Sequence, residues 1–318
     1  MKKGKVVLVG TGFVGMSMAY SILNKGGVNE LILIDIDKDK TIGEQMDLSD
    51  GLPFAPQKIV IKAGDYSDCN DAQIVVITAG VPQKPGETRL ELAETNTRII
   101  KNITKSIMES GFNGVIVVAS NPVDLMTYVV SEVSGLPKNQ VIGTGTVLDT
   151  ARLRYIISEY LKVSSKNVHT YVMGEHGDSS FVPWEQAYVG CKKIKDIMKE
   201  KNYSINKLEE IHQEVVNEAY KIIEKKKATY YGIGMALSRI LKAILDNDNS
   251  IITVSTYLKD GEYGQDDIYI GVPAIVNSNG VREVLKIELS EEEQTKLNDS
   301  CKIIKDMRKE YIDKIIEE

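Results

Sequence analysis

Only three cysteines occur among the 318 residues, at positions 69, 191 and 301. They are scattered, odd in number and without C-x-x-C spacing. That pattern argues against a disulfide framework or a zinc cluster and for a reducing compartment. Histidine is equally scarce: His169, His176 and His212. None has a second ligand at useful spacing, so no metal is expected. Positive charge is not in excess either. Lys and Arg number 39 against 45 Asp and Glu, a net charge of -6, which implies no general affinity for nucleic acid or an anionic membrane. Low-complexity linkers and fixed-period repeats are missing. Residues 6–23 carry no charge and follow a lysine-rich start, as in a signal sequence or membrane anchor. Three glycines make that run a poor continuous helix, and no small-residue cleavage site follows it, so a cytoplasmic protein is expected. Hydrophobic content of 42% and charged content of 26% are ordinary for a globular chain, and the length suggests two domains.

What is present is organised around residues 5–37. Residues 5–9 are a short β-branched run that reads as a buried strand. Gly10, Gly12 and Gly15 then spell G-x-G-x-x-G. Met16, Ala19, Tyr20 and Leu23 follow at helical spacing, Gly26 and Gly27 stop the helix, and 31–34 is a second strand ending at Asp35. Each part suits a dinucleotide. Gly10 permits the tight turn, Gly12 lets backbone approach the pyrophosphate, and Gly15 lets helix and strand pack closely. The helix N-terminus offers free N–H groups to the phosphates. Asp35 lies 20 residues after Gly15, where a carboxylate accepts bonds from the ribose hydroxyls and repels a 2′-phosphate, favouring NAD over NADP.

The strand and helix patterns go on alternating. A helix is expected over 38–48, strands over 59–61 and Ile74–Ile77, a helix over 90–110 and a strand over 115–119. Tyr66 either packs or lines an adenine pocket. Gly80 and Asn121 each follow the carboxyl end of a strand, where open parallel sheets hold ligands. The bond between Asn121 and Pro122 is a candidate cis peptide. Residues 81–89, VPQKPGETR, read as a surface lid or a plain connection.

In the second half, Val147–Leu161 reads as a helix. Asp149 and Arg152 are three apart and share a face, whereas Arg154 points elsewhere. Alone, this segment is also readable as a solvated charged helix. A strand over 168–173 carries His169 and leads into GEHGDS at 174–179. There His176 is flanked by glycine in a polar turn and suits proton exchange near neutral pH. His212 lies in an amphipathic helix, 208–223, as a surface or packing residue. A helix follows to about Leu245, opened near Thr229. Antiparallel strands are expected over 251–257, 268–276 and 284–287, with Asn279 and Gly280 as a hairpin turn and Ser290 opening the last helix through a capping box. The expected architecture is α/β: a Rossmann-type parallel sheet over 1–144, then an α+β catalytic domain with antiparallel strands over 145–318.

The motifs GTGFVG at 10–15, LILID at 31–35, GVPQKPGETR at 80–89, SNPVD at 120–124, LDTARLR at 148–154 and GEHGDS at 174–179 resemble those of the lactate/malate dehydrogenase family, over nearly the whole chain. The bacterial lactate-type enzymes are most similar. The resemblance implies that His176 exchanges a proton with a 2-hydroxy acid while NAD exchanges the hydride. It implies that Asp149 orients His176, Arg152 clamps the substrate carboxylate bidentately, Arg89 polarises the ketone oxygen and Asn121 bonds the reacting oxygen. Thr229 would meet the substrate's methyl end. Gly10, Gly12, Val14, Gly15, Asp35, Lys40, Tyr66, Gly80 and Asn121 would hold NAD.

Malate-type members carry arginine in the loop where this chain has Gln83, so the resemblance implies pyruvate and L-lactate rather than oxaloacetate. The neighbouring Val81 and Pro82 are more malate-like. Arg154 and His169 match positions that bind fructose 1,6-bisphosphate in allosteric members, which are homotetramers; an ordinary subunit salt bridge is the alternative. Other readings are a malate dehydrogenase, an NAD-dependent glycosidase and a catalytically silent NAD-binding regulator. The glycosidases need a metal, typically with a cysteine beside Asn-Pro, and here Ser120 stands there.

Overall fold

The structure, a computed structural model, describes residues 4–81, 89–259 and 261–318, with 89–92 described by backbone alone. The strands are β1 (Lys5–Val9), β2 (Glu30–Ile34), β3 (Val60–Ala63), β4 (Ile74–Ile77), β5 (Val115–Val118), β6 (Val141–Gly143), β7 (Val168–His169), β8 (Tyr188–Val189), β9 (Lys192–Lys193), β10 (Ser250–Leu258), β11 (Ile268–Asn277) and β12 (Gly280–Val284). The helices are α1 (Phe13–Lys25), α2 (Lys38–Asp50), α3 (Arg89–Glu109), α4 (Val123–Ser134), α5 (Val147–Leu161), α6 (Ile194–Glu200), α7 (Asn206–Lys226), α8 (Tyr231–Leu245), α9 (Glu291–Met307) and α10 (Asp313–Glu317).

Among the described residues, nine strands form one sheet in the order β12-β11-β10-β6-β5-β4-β1-β2-β3. From β3 to β6 every pairing is parallel. The strand order reverses between β1 and β4, so their carboxyl ends flank a crevice, the place where such sheets take ligands. The antiparallel strands β10, β11 and β12 do not stand apart from this sheet, whereas β7, β8 and β9 form a separate three-stranded antiparallel sheet. β10 pairs with β6 through Ser255 and Gly143 and continues the same layer.

Both faces of the inner strands are buried, so β1, β2, β4 and β5 are apolar apart from Lys5 and Glu30 at their starts, and successive residues serve opposite cores; the edge strand β3 buries only Ile61. Val7, Val9, Ile32 and Ile34 face α3, α4 and α9, among Ile100, Ile107, Met126, Val129 and Leu297. Val6, Leu8, Leu31 and Leu33 face α1 and α8, among Met18, Ile22, Leu237 and Ile240. Each such side chain contributes about 1.5–3 kcal/mol by leaving water. A third core joins α5, α6 and α7 through Leu153, Ile157, Met198, Leu208 and Ile211.

Three local expectations need correction. The buried stripe of α1 is Gly15, Met18, Ala19, Ile22 and Leu23, whereas Tyr20 is 63% exposed. The helix is apolar nearly all round, so two stripes fit the same spacing. The strand expected over 168–173 stops at His169, because side chains take over its backbone partners. Arg154 Nε donates to Thr170 O, Thr150 Oγ1 accepts from Val172 N, and Thr146 Oγ1 donates to Val172 O. The last hairpin turns one residue early. Asn277 pairs with Gly280, leaving Ser278 and Asn279 as the loop. The strand then ends at Val284 rather than running to 287. Leu285 N donates to Pro273 O, but proline has no N–H to return, and the Tyr263 hydroxyl donates to Leu285 O.

Candidate active site

Helix α5 starts directly after β6, which carries its first turns to the carboxyl edge of the sheet. Asp149 and Arg152 share a face there, joined by a 2.9 Å bond from Arg152 Nη1 to Asp149 Oδ1. The second Asp149 oxygen lies 2.7 Å from His176 Nδ1. One carboxylate therefore serves a guanidinium and an imidazole at once. The side chains of Arg152 and Asp149 are 8% and 13% exposed, and that of His176 is 29% exposed. His176 is thus the member that reaches open space. With Nδ1 on Asp149, its Nε2 is left to meet a ligand.

Burial opposes charge on these groups, and their mutual attraction overrides it. For His176, desolvation alone would lower the pKa. The Asp149 carboxylate outweighs it, with help from Asp124, and holds the imidazole at about 9. For Asp149, burial would raise the pKa, but His176 and Arg152 hold it below the usual carboxylate range. The resting site is a carboxylate between two cations, with a proton ready on the imidazole.

The turn after β1 fits a dinucleotide. Gly10 has φ +105°, and a Cβ there would lie 2.6 Å from Ala79 N. A Cβ on Gly15 would lie 2.2 Å from Gly10 O, whereas one on Gly12 would meet nothing within 4 Å. The turn is therefore closely packed at Gly10 and Gly15 and open at Gly12, which leaves room for a ligand against its backbone. Asp35 Oδ2 accepts from Thr11 N at 2.6 Å and Thr11 Oγ1 at 3.0 Å. Burial would raise its pKa, but these donors, Asp37 N–H and Lys40 lower it. Lys40 Nζ donates to Thr11 O at 2.7 Å, so it braces the same turn. Val14 is half-buried on α1, and Tyr66 is half-buried against the core.

At the carboxyl end of β4, Gly80 lies beside the buried Asn96, whose Oδ1 accepts from Val81 N at 2.9 Å. Asn96 Nδ2 donates to Asn121 O at 2.9 Å. Asn121 itself is exposed, and its bond to Pro122 is cis. Thr229 is half-buried just before α8. Arg154 projects from α5 away from Asp149, over the Tyr171 ring, and burial lowers its pKa. His169 is exposed on β7 next to the Thr170 carbonyl that Arg154 engages. Gln83 and the Arg89 side chain lie outside the described residues. Ser120 Oγ donates to Ala79 O at 2.5 Å. No cluster of three or more His, Cys, Asp or Glu suited to a metal occurs among the described residues, and no described helix is long and apolar enough to cross a membrane.

Sequence reasoning missed four supporting residues: Thr11, Asn96, Asp124 and Ser255. Of these only Asp124 carries a signal, as the lone acid in the apolar opening of α4.

Comparison with known proteins agrees with this geometry. Residues 4–143 match the lactate/malate dehydrogenase NAD binding domain, and residues 146–315 match the alpha/beta C-terminal domain of the same family. The chain is 52% identical to L-lactate dehydrogenase 2 of Bacillus cereus (strain ZK / E33L) over 309 residues, covering 96% of this chain and 98% of that protein. A lactate dehydrogenase from a Medee basin deep-sea metagenome library has a similar crystal structure. Its TM-score is 0.95 at 53% identity, with 98% and 99% of the two chains covered. The ligand-bound minor L-lactate dehydrogenase of Enterococcus mundtii also scores 0.95, at 47% identity and 97% and 98% coverage.

Proposed function

Because the chain belongs to the lactate/malate dehydrogenase family and is an NAD-dependent oxidoreductase, we propose that it is an L-lactate dehydrogenase, interconverting pyruvate and L-lactate. The observation that carries the reading is the division of Asp149 between Arg152 and His176. In a 2-keto acid the carboxylate and the reacting carbonyl are adjacent. A planar cation and a proton donor tied to one carboxylate match that adjacency.

In the reducing direction Arg152 holds the pyruvate carboxylate. His176, charged at neutral pH, gives its Nε2 proton to the oxygen on C2 and returns to neutral imidazole. Asp149 stabilises the imidazolium before transfer and fixes the ring's orientation throughout. When bound, NADH would supply the hydride to C2. Asn121, and Arg89 from the start of α3, steady the developing negative charge on that oxygen. Gly10, Gly12, Val14, Gly15, Asp35, Lys40, Tyr66 and Gly80 would hold the dinucleotide, with the Asp35 carboxylate rejecting a 2′-phosphate.

Gln83 supports pyruvate over oxaloacetate, since a second carboxylate beside a neutral amide would lose water without gaining a cation. Thr229 faces the methyl end. On the same reading the working division lies between 144 and 145, and the protein acts in the cytoplasm. Arg154 and His169 take the phosphates of fructose 1,6-bisphosphate as an activator in a homotetramer. An exposed apolar groove of about 650 Å³, formed by Phe13, Met16, Tyr20, Tyr230, Tyr231 and Met235, supports self-association.

The test is NADH oxidation with pyruvate and with oxaloacetate, each with and without fructose 1,6-bisphosphate. Fast turnover of pyruvate, increased by the bisphosphate, is expected. Preference for oxaloacetate would overturn the substrate assignment, and indifference to the bisphosphate would overturn the effector site.

A further inference from the structure

A second carboxylate, besides Asp149, bears on the catalytic histidine through its backbone. Asp124 stands in the first turn of α4 and is 3% exposed. Its Oδ2 accepts from the backbone N–H of His176 at 2.9 Å, and its Oδ1 accepts from Ser255 Oγ at 2.5 Å. Ser255 is fully buried on β10, at the residue that pairs with Gly143 of β6. A buried, hydrogen-bonded carboxylate therefore ties three remote segments together: the start of α4, the middle of the sheet and the loop that carries His176. An amide and a hydroxyl are modest partners for so deeply buried a carboxyl, and desolvation holds its pKa up at about 6 despite both donors.

The rest of the loop is pinned elsewhere. Ser300 of α9 accepts from Glu175 N at 2.7 Å, and Ser179 donates to the Glu175 carboxylate at 2.5 Å. Loop placement alone would thus not need a charge at 124. A neutral side chain could accept one N–H as well, at much lower desolvation cost.

We propose that Asp124 is a positioning residue for the reaction, fixing the backbone on which His176 is mounted and adding a second negative charge that favours the protonated imidazole. The inference rests on the reading of His176 as the proton donor. Among the described side chains, the charged groups acting on His176 are Asp149 and Arg152 from α5 and Asp124 from α4, while Glu175 of the same loop acts on Asp124. β10 and α9 present the neutral hydroxyls of Ser255 and Ser300 to this region.

Asp124→Asn separates charge from shape. The amide oxygen still accepts from His176 N–H, and Ser255 can rotate to accept from the amide. Steady-state pyruvate reduction is measured against pH for the parent, Asp124→Asn, Ser255→Ala and His176→Asn, with NADH affinity followed by fluorescence as a check on folding. For Asp124→Asn the alkaline limb of kcat should move down by about half to one pH unit. The KM for pyruvate should stay within about twofold, because Arg152 is untouched. Ser255→Ala keeps the charge, so kcat should fall with the limb in place. NADH affinity should be unchanged in both. An Asp124→Asn limb and kcat coincident with the parent would overturn the proposal. So would loss of NADH affinity in step with kcat, which marks a purely structural role. His176→Asn separates the two levels of argument: if it is inactive while Asp124→Asn behaves as parent, only this inference fails, and if it keeps full turnover the reading of the site fails too.

Discussion

Replacing Asp149 by asparagine removes the one negative charge that both Arg152 and His176 touch. The Asp149 attraction lifts His176 from 6.5 to about 9 against a desolvation that works the other way. That rise corresponds to about 3 kcal/mol of preference for the charged ring. Without Asp149, desolvation is unopposed except by the more remote Asp124, and the pKa should fall to 6.5 or below. At about pH 7.5 the parent ring is almost wholly protonated, whereas the variant ring is charged in roughly one molecule in ten or fewer. Pyruvate reduction should therefore drop about tenfold or more at that pH from the protonation state alone. A rise in KM should accompany it, because Arg152 loses its tether. The sign is open to direct test. Reduction uses the charged ring, so activity of the variant should recover as pH is lowered toward about 5.5. Lactate oxidation uses the neutral ring, whose share at pH 7.5 rises from about 3% in the parent to about 90% or more in the variant, so protonation state alone should favour it rather than slow it. Stopped-flow NADH kinetics in both directions over this range measure both effects. A deficit of the same size at every pH, or equal in the two directions, would refute the reasoning.

Other outcomes follow from the same geometry. Gly12→Val should weaken NADH binding by tenfold or more in a fluorescence titration while leaving thermal stability close to the parent, since a side chain there meets only open space. Gly15→Ala should instead destabilise the fold by about 1–3 kcal/mol in urea unfolding, because its Cβ lands on Gly10 O. Gln83→Arg should raise the rate ratio of oxaloacetate to pyruvate by about tenfold or more, by supplying the missing cation; unchanged relative rates would sink that assignment. Arg154→Gln should abolish any response to fructose 1,6-bisphosphate at low pyruvate and leave the rate at saturating pyruvate near the parent value.

The legible parts of the chain were those written in local pattern. The β1 strand, the glycine turn and the Asp35 terminus were readable because strand, turn and helix periods change within thirty residues. The shared face of Asp149 and Arg152 follows from helical spacing, and the pairing of Asp149 with His176 from resemblance. What was not legible depends on distant backbone. No pattern near 168–173 says that threonines from 146 and 150 will displace a strand partner. Nothing around Pro273 says that its missing N–H faces Leu285 across the sheet. Asp124 entered the sequence only as the end of the SNPVD motif, and only the approach of β10 and the 174–179 loop shows what it serves.

The continuity of the nine-stranded sheet bears on how the protein comes apart. β6 has β5 on one side and β10 on the other, so the two halves of the chain are joined by backbone hydrogen bonds and by a shared apolar layer beneath α8. A fragment ending at 144 would bare one edge of β6 and leave the apolar layer of Ile142 and Val117 without the α8, β10 and β11 residues that complete it, an open template for pairing between chains. Such a fragment should aggregate rather than fold, and the intact chain should unfold in one cooperative step in which the cofactor half cannot outlast the catalytic half.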